Sequence, residues 1–259
     1  NNNQNNNQNN NQNNNQNNNQ NNKEKNRIKY LLLQHLSKQQ ECTLSAKLDA
    51  SAVRYLRIST NAGSTINENG TITQKEIAGK LHVDHVTDDL TQVLAIDYQS
   101  IQTGDEEQVN VIDGLYNFHT HPVSAYESHK VLMGWPSAQD YVGYITSFLD
   151  TGTILHIVAS VEGIYIISLG NYWLDSQNKE LNKELSEFIS TRYDLCTTSD
   201  KKHTPEWYIQ QISSIRYKNA ILFNTVYFPW NLASSIFTVN FPRKMNMCLV
   251  DQDEYGDIE

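Results

Sequence analysis

Two histidines stand one residue apart in the segment FHTHP, residues 118–122, directly after VNVIDGLYN. Residues i and i+2 of a β-strand point to the same face of a sheet. His119 and His121 therefore present two imidazoles side by side if this segment is the end of a strand. Such a pair is either part of a metal site or two histidines with ordinary hydrogen bonds, and the rest of the chain has to decide between these interpretations.

The first 22 residues are all Asn or Gln. A tract of this kind has no apolar side chains to offset the entropy lost on ordering, so we predict that residues 1–22 are disordered. The tract also dilutes the apolar fraction of the chain to 38%. Residues 23–259 have the composition of an ordinary globular protein. A chain of 259 residues has room for one large domain or for one domain with an appendage.

The charge and the cysteine content of the chain indicate which binding partners and which cellular compartment to expect. The chain has 20 basic and 29 acidic side chains, a formal charge of −9, which does not favour binding to nucleic acid or to anionic lipid. Cys42, Cys196 and Cys248 are widely spaced, which argues against a disulfide framework and fits a reducing compartment. No apolar run approaches the ~18 residues of a membrane-spanning helix. We therefore expect a cytoplasmic protein without a nucleic-acid or membrane partner.

Hydrophobic periodicity and turn residues predict the order of helices and strands. An N-terminal helical segment covers residues 23–52. Strands are predicted at 53–60, 75–83, 92–101 and 108–119, and in a hairpin of TILHIVAS and GIYIISL joined through VEG. Further helices are predicted at 137–152, 178–192 and 204–218. This order indicates an α/β (α+β) fold, with a mixed β-sheet flanked by helices.

A zinc hydrolase needs more than two histidines: a third protein ligand, an open coordination position and a base. Downstream of FHTHP, the segment GWPSAQDY places Ser137 and Asp140 three residues apart, on one face of the first turn of a predicted helix. The carboxylate of Asp140 and the hydroxyl of Ser137 can therefore face the same pocket. Upstream, EIAGKL places Glu76 on a predicted strand, with Gly79 allowing a close backbone approach.

Glu-x-x-Gly-x-Leu, then His-x-His-Pro, then Pro-Ser-x-x-Asp resembles the motif set of the JAMM (MPN-plus) zinc metalloprotease family. The resemblance implies that His119, His121 and Asp140 bind one zinc ion. It also implies that Glu76 is the general acid/base and that Ser137 steadies the tetrahedral intermediate. The expected substrate is a conjugate of ubiquitin or a ubiquitin-like protein, as for an isopeptidase or deubiquitinase.

The same resemblance implies an MPN/cytidine-deaminase-like metalloprotease core over residues 53–170. Residues 171–259 then form a C-terminal helical extension with an acidic tail. One departure from the family lies between the second histidine and the serine, where fifteen residues, 122–136, replace the usual seven. Loop closure costs little more for a longer loop, so we expect the insertion to lie at the rim of the site. A longer segment of this kind, ending in GWPS, resembles the one in JAMM-like proteins of large DNA viruses.

Several alternatives stay open at this point. Ser-x-x-acid before an apolar run also predicts a helix capping box, and both interpretations can hold together. Glu68 competes with Glu76 as the base, His129 is either an extra ligand or a loop residue, and His82 and His85 are expected at the surface. A non-catalytic MPN-type scaffold, in a virion or another assembly, is the main rival function. A third possibility is cleavage of a small non-protein amide.

Overall fold

The computed structural model describes residues 43–60, 65–66, 72–73, 75–104, 109, 112–124, 126, 131–174, 180–195 and 203–242. The Asn/Gln tract 1–22, most of the predicted helical segment 23–52 and the acidic tail lie outside the described residues. So do Glu68, His129 and the three cysteines. The predictions made for them are therefore not addressed by the structure.

Ten strands and five α-helices organise the described residues. The strands are β1 (Thr43–Leu48), β2 (Thr65–Ile66), β3 (Ile72–Thr73), β4 (Ile77–Val86), β5 (Gln92–Thr103), β6 (Tyr116–Thr120), β7 (Leu155–Ala159), β8 (Gly163–Leu169), β9 (Phe223–Pro229) and β10 (Phe237–Asn240). The helices are α1 (Ala50–Ser59), α2 (Ala138–Thr151), α3 (Asn171–Leu174), α4 (Lys183–Arg192) and α5 (Pro205–Ser214). A 3-10 turn at Trp230–Leu232 follows β9.

Eight strands form one sheet in the order β10-β1-β5-β4-β6-β7-β8-β9, and β2 pairs with β3 separately. The sheet is mixed, because β1 runs parallel to β5 and β6 runs parallel to β7, while the other neighbours are antiparallel. It also curls: the side-chain amides of Asn224 on β9 and Asn240 on β10 both donate to the carbonyl of Leu169, at 2.9 and 3.0 Å. The predicted α+β class with a mixed sheet and flanking helices is confirmed.

The connection from β6 to β7 positions the two ends of the candidate motif. Neighbouring parallel strands need a crossover connection, and α2 lies within this one. Because α2 returns the chain to the start of β7, its N-terminus lies at the end of β6. All residues of β6 and β7 are buried, so the pair lies in the centre of the fold. Residues 119–121 and 137–140 are therefore brought to the same end of the sheet.

Helix α2 matches its prediction closely. Ser137 is the N-cap and Gly152 follows the last turn in a left-handed conformation, with φ of 80°. The interior face carries Tyr141, Tyr144 and Ile145, all buried. The hairpin prediction is also confirmed, since β7 and β8 are antiparallel neighbours. The strands predicted at 75–83 and 92–101 correspond to β4 and β5.

Two predictions near the N-terminus of the described chain are wrong. Residues 53–60 were expected to form a strand, but they belong to α1, whose N-cap Asp49 accepts from the backbone of Ala52. Ala52, Leu56 and Ser59 are buried on one face of this helix, a spacing that the apparent alternation in VRYLRIST concealed. Residues 43–48, assigned to the helical segment 23–52, form β1, because every second side chain of TLSAKL is buried against the sheet.

The prediction of a helical extension over 171–259 is incomplete. Helices α4 and α5 lie close to the predicted positions, but β9 and β10 add two strands to the main sheet, one at each edge. The chain after residue 170 therefore completes the sheet as well as covering it.

Candidate metal centre

His119 and His121 lie at the end of β6 and converge on one point. The backbone N–H of His121 donates to the carbonyl of Ala159 at 2.7 Å, which extends the pairing of β6 with β7 past the end of the strand. The Nε2 atoms of the two imidazoles are 2.9 Å apart. His119 is only 5% exposed. The predicted strand-end pair is therefore present, with both rings directed inward.

Asp140 reaches the same point from the first turn of α2. Its Oδ1 lies 3.1 Å from Nε2 of His119 and its Oδ2 lies 3.5 Å from Nε2 of His121. The three residues each offer one ligand atom, and these atoms lie within 4.8 Å of one another. His119, His121 and Asp140 can therefore hold a metal ion, the ligand set that the motif resemblance implies.

Ser137 and Asp140 also form a capping box. The backbone N–H of Ser137 donates to Oδ2 of Asp140 at 2.6 Å, and that of Asp140 donates to Oγ of Ser137 at 3.3 Å. The hydroxyl of Ser137 in turn donates to Oδ2 of Asp140 at 2.9 Å. The two interpretations of this motif hold together, because the cap fixes the rotamer of the same carboxylate that faces the histidines.

The remaining ring nitrogen of each histidine is engaged by the protein. Nδ1 of His121 donates to the carbonyl oxygen of Gly134 at 2.9 Å, and Nδ1 of His119 lies 2.8 Å from Nε2 of His156. Two imidazole nitrogens and one carboxylate, with their orientations fixed in this way, are a donor set typical of catalytic zinc sites, which keep a fourth position open. The residues present therefore fit a zinc ion.

The Asp140 carboxylate lies between the imidazoles of His119 and His121, and this contact determines the pKa shifts at the site. Burial opposes the charged form of His121, but Asp140 and, more weakly, Glu76 raise the pKa of His121 from 6.5 to about 9. Burial works to raise the pKa of Asp140, yet the neighbouring charges of His119 and His121 hold it well below its ordinary value. Whenever no metal is bound at neutral pH, a proton on His121 therefore faces the Asp140 carboxylate.

Glu76 lies immediately before β4 and is 8% exposed. Antiparallel pairing places Ala78 opposite His119, which brings Glu76, two residues earlier, alongside His121. Its charge is one of those that raise the pKa of His121, as expected for a carboxylate at the same end of the sheet. The structure thus brings all five predicted site residues, Glu76, His119, His121, Ser137 and Asp140, into one region.

Gly79 has a different role from the one predicted. A Cβ atom at this position would lie 2.7 Å from the ring of Phe118 and from Cδ1 of Ile101. The glycine therefore makes room for side chains, not for an approaching backbone. Since Phe118 directly precedes His119 and is buried, Gly79 lets β4 and β6 pack at the base of the site.

The insertion contributes to the site through its last residues. Gly134, whose carbonyl receives the His121 hydrogen bond, donates its own N–H to Oε1 of Glu162 at 2.8 Å. The hydroxyl of Tyr165 donates to the same oxygen at 2.8 Å, and that of Tyr126 donates to Oε2 at 2.6 Å. The turn between β7 and β8 thus fixes the end of the insertion against His121. The sequence reasoning treated Glu162 only as part of a hairpin turn and missed this role.

Helix α5 supports the segment that leads into Ser137. The ring of Tyr208 stacks on Trp135, with centroids 5.0 Å apart, and its hydroxyl donates to the carbonyl of Pro136 at 2.8 Å. The same hydroxyl lies 3.0 Å from that of Tyr141 on α2. Trp135 and Tyr208 are both buried, so α5 and the segment that leads into Ser137 belong to one core.

His82 and His85 are exposed on β4, as predicted.

No helix among the described residues is long and apolar enough to cross a membrane.

The chain was compared with protein-family models and with known proteins. No protein-family model matches the chain. The chain is similar to Uncharacterized protein 3R of Frog virus 3 (isolate Goorha), with 36% identity over 99 residues. The matched region covers 36% of this chain and 22% of the relative, so the chain spans about a fifth of that protein's length.

Proposed function

We propose that this protein is a zinc-dependent hydrolase of the JAMM type that cleaves peptide or isopeptide bonds. The observation that carries the proposal is the convergence of two Nε2 atoms and one carboxylate beside Glu76 and Ser137. Three ligands alone fit a structural metal site as well. The additional carboxylate and hydroxyl are the groups that peptide hydrolysis needs and that a structural site does not.

His119, His121 and Asp140 would hold the metal. A bound zinc ion supplies a Lewis acid and makes water a stronger nucleophile at neutral pH. The low exposure of these side chains, 6% for His119 and 14% for His121 and Asp140, and the fixed Nδ1 contacts of both histidines keep the donor atoms in place before any metal binds. Little reorganisation is then required on binding, which favours affinity.

Glu76 is the proposed general acid/base. Hydrolysis adds water to the carbonyl carbon of the scissile amide and breaks the C–N bond, and the departing nitrogen leaves with an added proton. The carboxylate of Glu76 can take a proton from the water and return it to that nitrogen. Its position next to His121, before β4, supports this assignment.

Ser137 is the proposed donor to the oxyanion that forms on the substrate. In this structure its hydroxyl proton is directed at Oδ2 of Asp140, at 2.9 Å. That oxygen also accepts from the backbone of Ser137, so it keeps a donor when the hydroxyl rotates away. A short rotation about one bond is thus enough to redirect the hydroxyl toward a substrate.

The substrate class is proposed from the motif resemblance: a conjugate of ubiquitin or of a ubiquitin-like protein. The GWPS ending of the insertion and the similarity to a Frog virus 3 protein support a source among large DNA viruses, with the protein acting in the host cytoplasm or the virion. A formal charge of −9 supports a protein partner over nucleic acid or anionic membrane.

The test compares the zinc-loaded protein, residues 1–259, with its Glu76→Gln variant on a panel of ubiquitin dimers and peptide-linked ubiquitin fusions. We expect the wild type to cleave at least one substrate and Glu76→Gln to retain zinc but lose turnover by a factor of about 10² or more. Cleavage that persists in Glu76→Gln would remove this residue as the base. A zinc-loaded wild type that cleaves no protein or amide substrate would favour the non-catalytic scaffold.

A further inference from the structure

A buried row of hydrogen bonds lies behind His119, on the side away from the other ligands. The amide nitrogen of Asn117 donates to the carbonyl of Ile112 at 2.9 Å. Oδ1 of Asn117 lies 2.6 Å from Nδ1 of His156, and Nε2 of His156 lies 2.8 Å from Nδ1 of His119. Asn117 and His156 are each only 1% exposed. Neither residue belongs to the motif that identified the site.

Strand geometry explains how these side chains come into line. Asn117 and His119 are two apart on β6 and therefore share a face of the sheet. His156 is the direct partner of Asn117 on the parallel neighbour β7. Tyr144 of α2 covers the row, since its ring stacks over that of His156 with centroids 6.1 Å apart. The row is therefore enclosed between the sheet and α2.

The hydrogen-bond partners determine where each proton lies. A backbone carbonyl only accepts, so Asn117 must turn its amide nitrogen to Ile112 and its oxygen to His156. That oxygen also only accepts, so Nδ1 of His156 carries a proton and Nε2 of the neutral ring accepts. Nδ1 of His119 must then donate, so the nitrogen of His119 that is left for a metal is Nε2, which is directed at His121 and Asp140.

We infer that His156 and Asn117 are positioning residues of the metal centre, which hold His119 in the tautomer and orientation that present Nε2 to a metal. The inference rests on the proposed metal site. A metal-bound histidine usually donates its other N–H to a carboxylate, a backbone carbonyl or water. Here the acceptor is a second imidazole, and its own tautomer is set by an asparagine.

The first test determines tautomers in the wild-type protein by long-range ¹H–¹⁵N correlation NMR of the histidine side chains. We expect a protonated Nδ1 for both His119 and His156, and an unprotonated Nε2 for His156. A proton on Nε2 of His156, or an Nδ1 of His119 without a proton, would overturn the inference. Because this measurement needs neither a metal nor turnover, it decides the inference even if the hydrolase proposal fails.

The second test measures zinc affinity by competition with a chelator in His156→Leu, His156→Gln and Tyr144→Phe. His156→Leu removes the acceptor, and we expect its zinc affinity to fall roughly 10–100-fold. His156→Gln restores a carbonyl acceptor and should recover most of that loss. Tyr144→Phe is the matched control, because it deletes a buried hydrogen bond to the Ile154 carbonyl beside the row without touching the row itself.

Thermal unfolding of the same variants separates positioning from general stability. If His156→Leu and Tyr144→Phe lose similar stability and only His156→Leu loses zinc affinity, the positioning role is supported. An equal loss of zinc affinity in both variants would overturn it, as would unchanged affinity in His156→Leu. Should His156→Leu not fold, Asn117→Ser, which shortens the acceptor of the His156 proton, is expected to weaken zinc binding in the same direction.

Discussion

Nδ1 of His121 donates to the carbonyl oxygen of Gly134, 2.9 Å away and thirteen residues further along the chain. Gly134 lies at the end of the fifteen-residue segment that lengthens the spacing between the second histidine and Ser137. The insertion therefore does not separate the motif into unrelated halves. Its last residues return to the site and orient one of the ligands.

Glu162 connects this contact to the β7–β8 turn, so we predict that Glu162→Ala weakens the site from a distance. The substitution leaves the Gly134 N–H and the hydroxyls of Tyr126 and Tyr165 without their common acceptor. We expect a loss of about 2 kcal/mol in the free energy of unfolding and weaker zinc binding. Urea unfolding and a zinc competition assay measure the two effects. Stability and affinity both at wild-type values would show that the turn does not anchor the insertion.

Gly134 itself is predicted to tolerate no side chain. A Cβ atom there would clash with the hydroxyl oxygen and the ring of Tyr126. Gly134→Ala must therefore move Tyr126 or the Gly134 carbonyl, and we expect weaker zinc binding than in the wild type. Gly114→Ala is the control, because its Cβ would meet only the flexible side chain of Lys80, at 3.1 Å and beyond. Equal zinc affinities in the two variants would contradict the account.

Zinc binding should depend on pH with a defined sign. Without metal, the pKa of His121 is raised to about 9, so this ring carries a proton at neutral pH that a metal must displace. Apparent zinc affinity should therefore rise roughly tenfold per pH unit from about pH 7 and level off near pH 9. Calorimetric titration in buffers of different ionisation enthalpy should detect about one proton released at pH 7. Affinity that is flat over this range would mean that His121 is already neutral.

Ser137→Ala is predicted to separate turnover from metal binding. The residue is the N-cap of α2, and loss of a capping side chain costs about 1 kcal/mol of stability. Asp140 keeps its hydrogen bond from the backbone of residue 137, so zinc content should stay near that of the wild type. Turnover should fall by a factor of about 10² or more, because the proposed oxyanion donor is lost. Turnover close to the wild type would leave Ser137 with only its capping role.

Sequence motifs identified the residues of the site that act directly on a metal or a substrate, because that chemistry requires particular residue types at particular spacings. Two histidines on one face of a strand and a serine three residues before an aspartate are local patterns. The crossover through α2 then brings them together. The supporting residues have no such local pattern. His156 reaches Asn117 only because β7 pairs with β6 in one register, and Glu162 reaches Gly134 only through the fold of the insertion.

The secondary-structure errors have physical causes as well. VRYLRIST alternates apolar and polar residues over a short stretch, which satisfies a strand, but its buried positions follow the helical period once Asp49 caps the first turn. β9 and β10 lie at the two edges of the sheet. β9 carries polar positions and a proline, so its alternation is weak, and β10 is only four residues long. They are held by pairing with β8 and β1, which local sequence does not reveal.

The most direct measurement is the zinc content of the purified protein, residues 1–259, by elemental analysis, beside a His119→Ala/His121→Ala variant prepared in the same way. The account predicts about one tightly bound zinc ion per chain in the wild type and none in the variant. Absence of zinc from both proteins, or equal zinc in both, would contradict the assignment of His119, His121 and Asp140 as a metal centre.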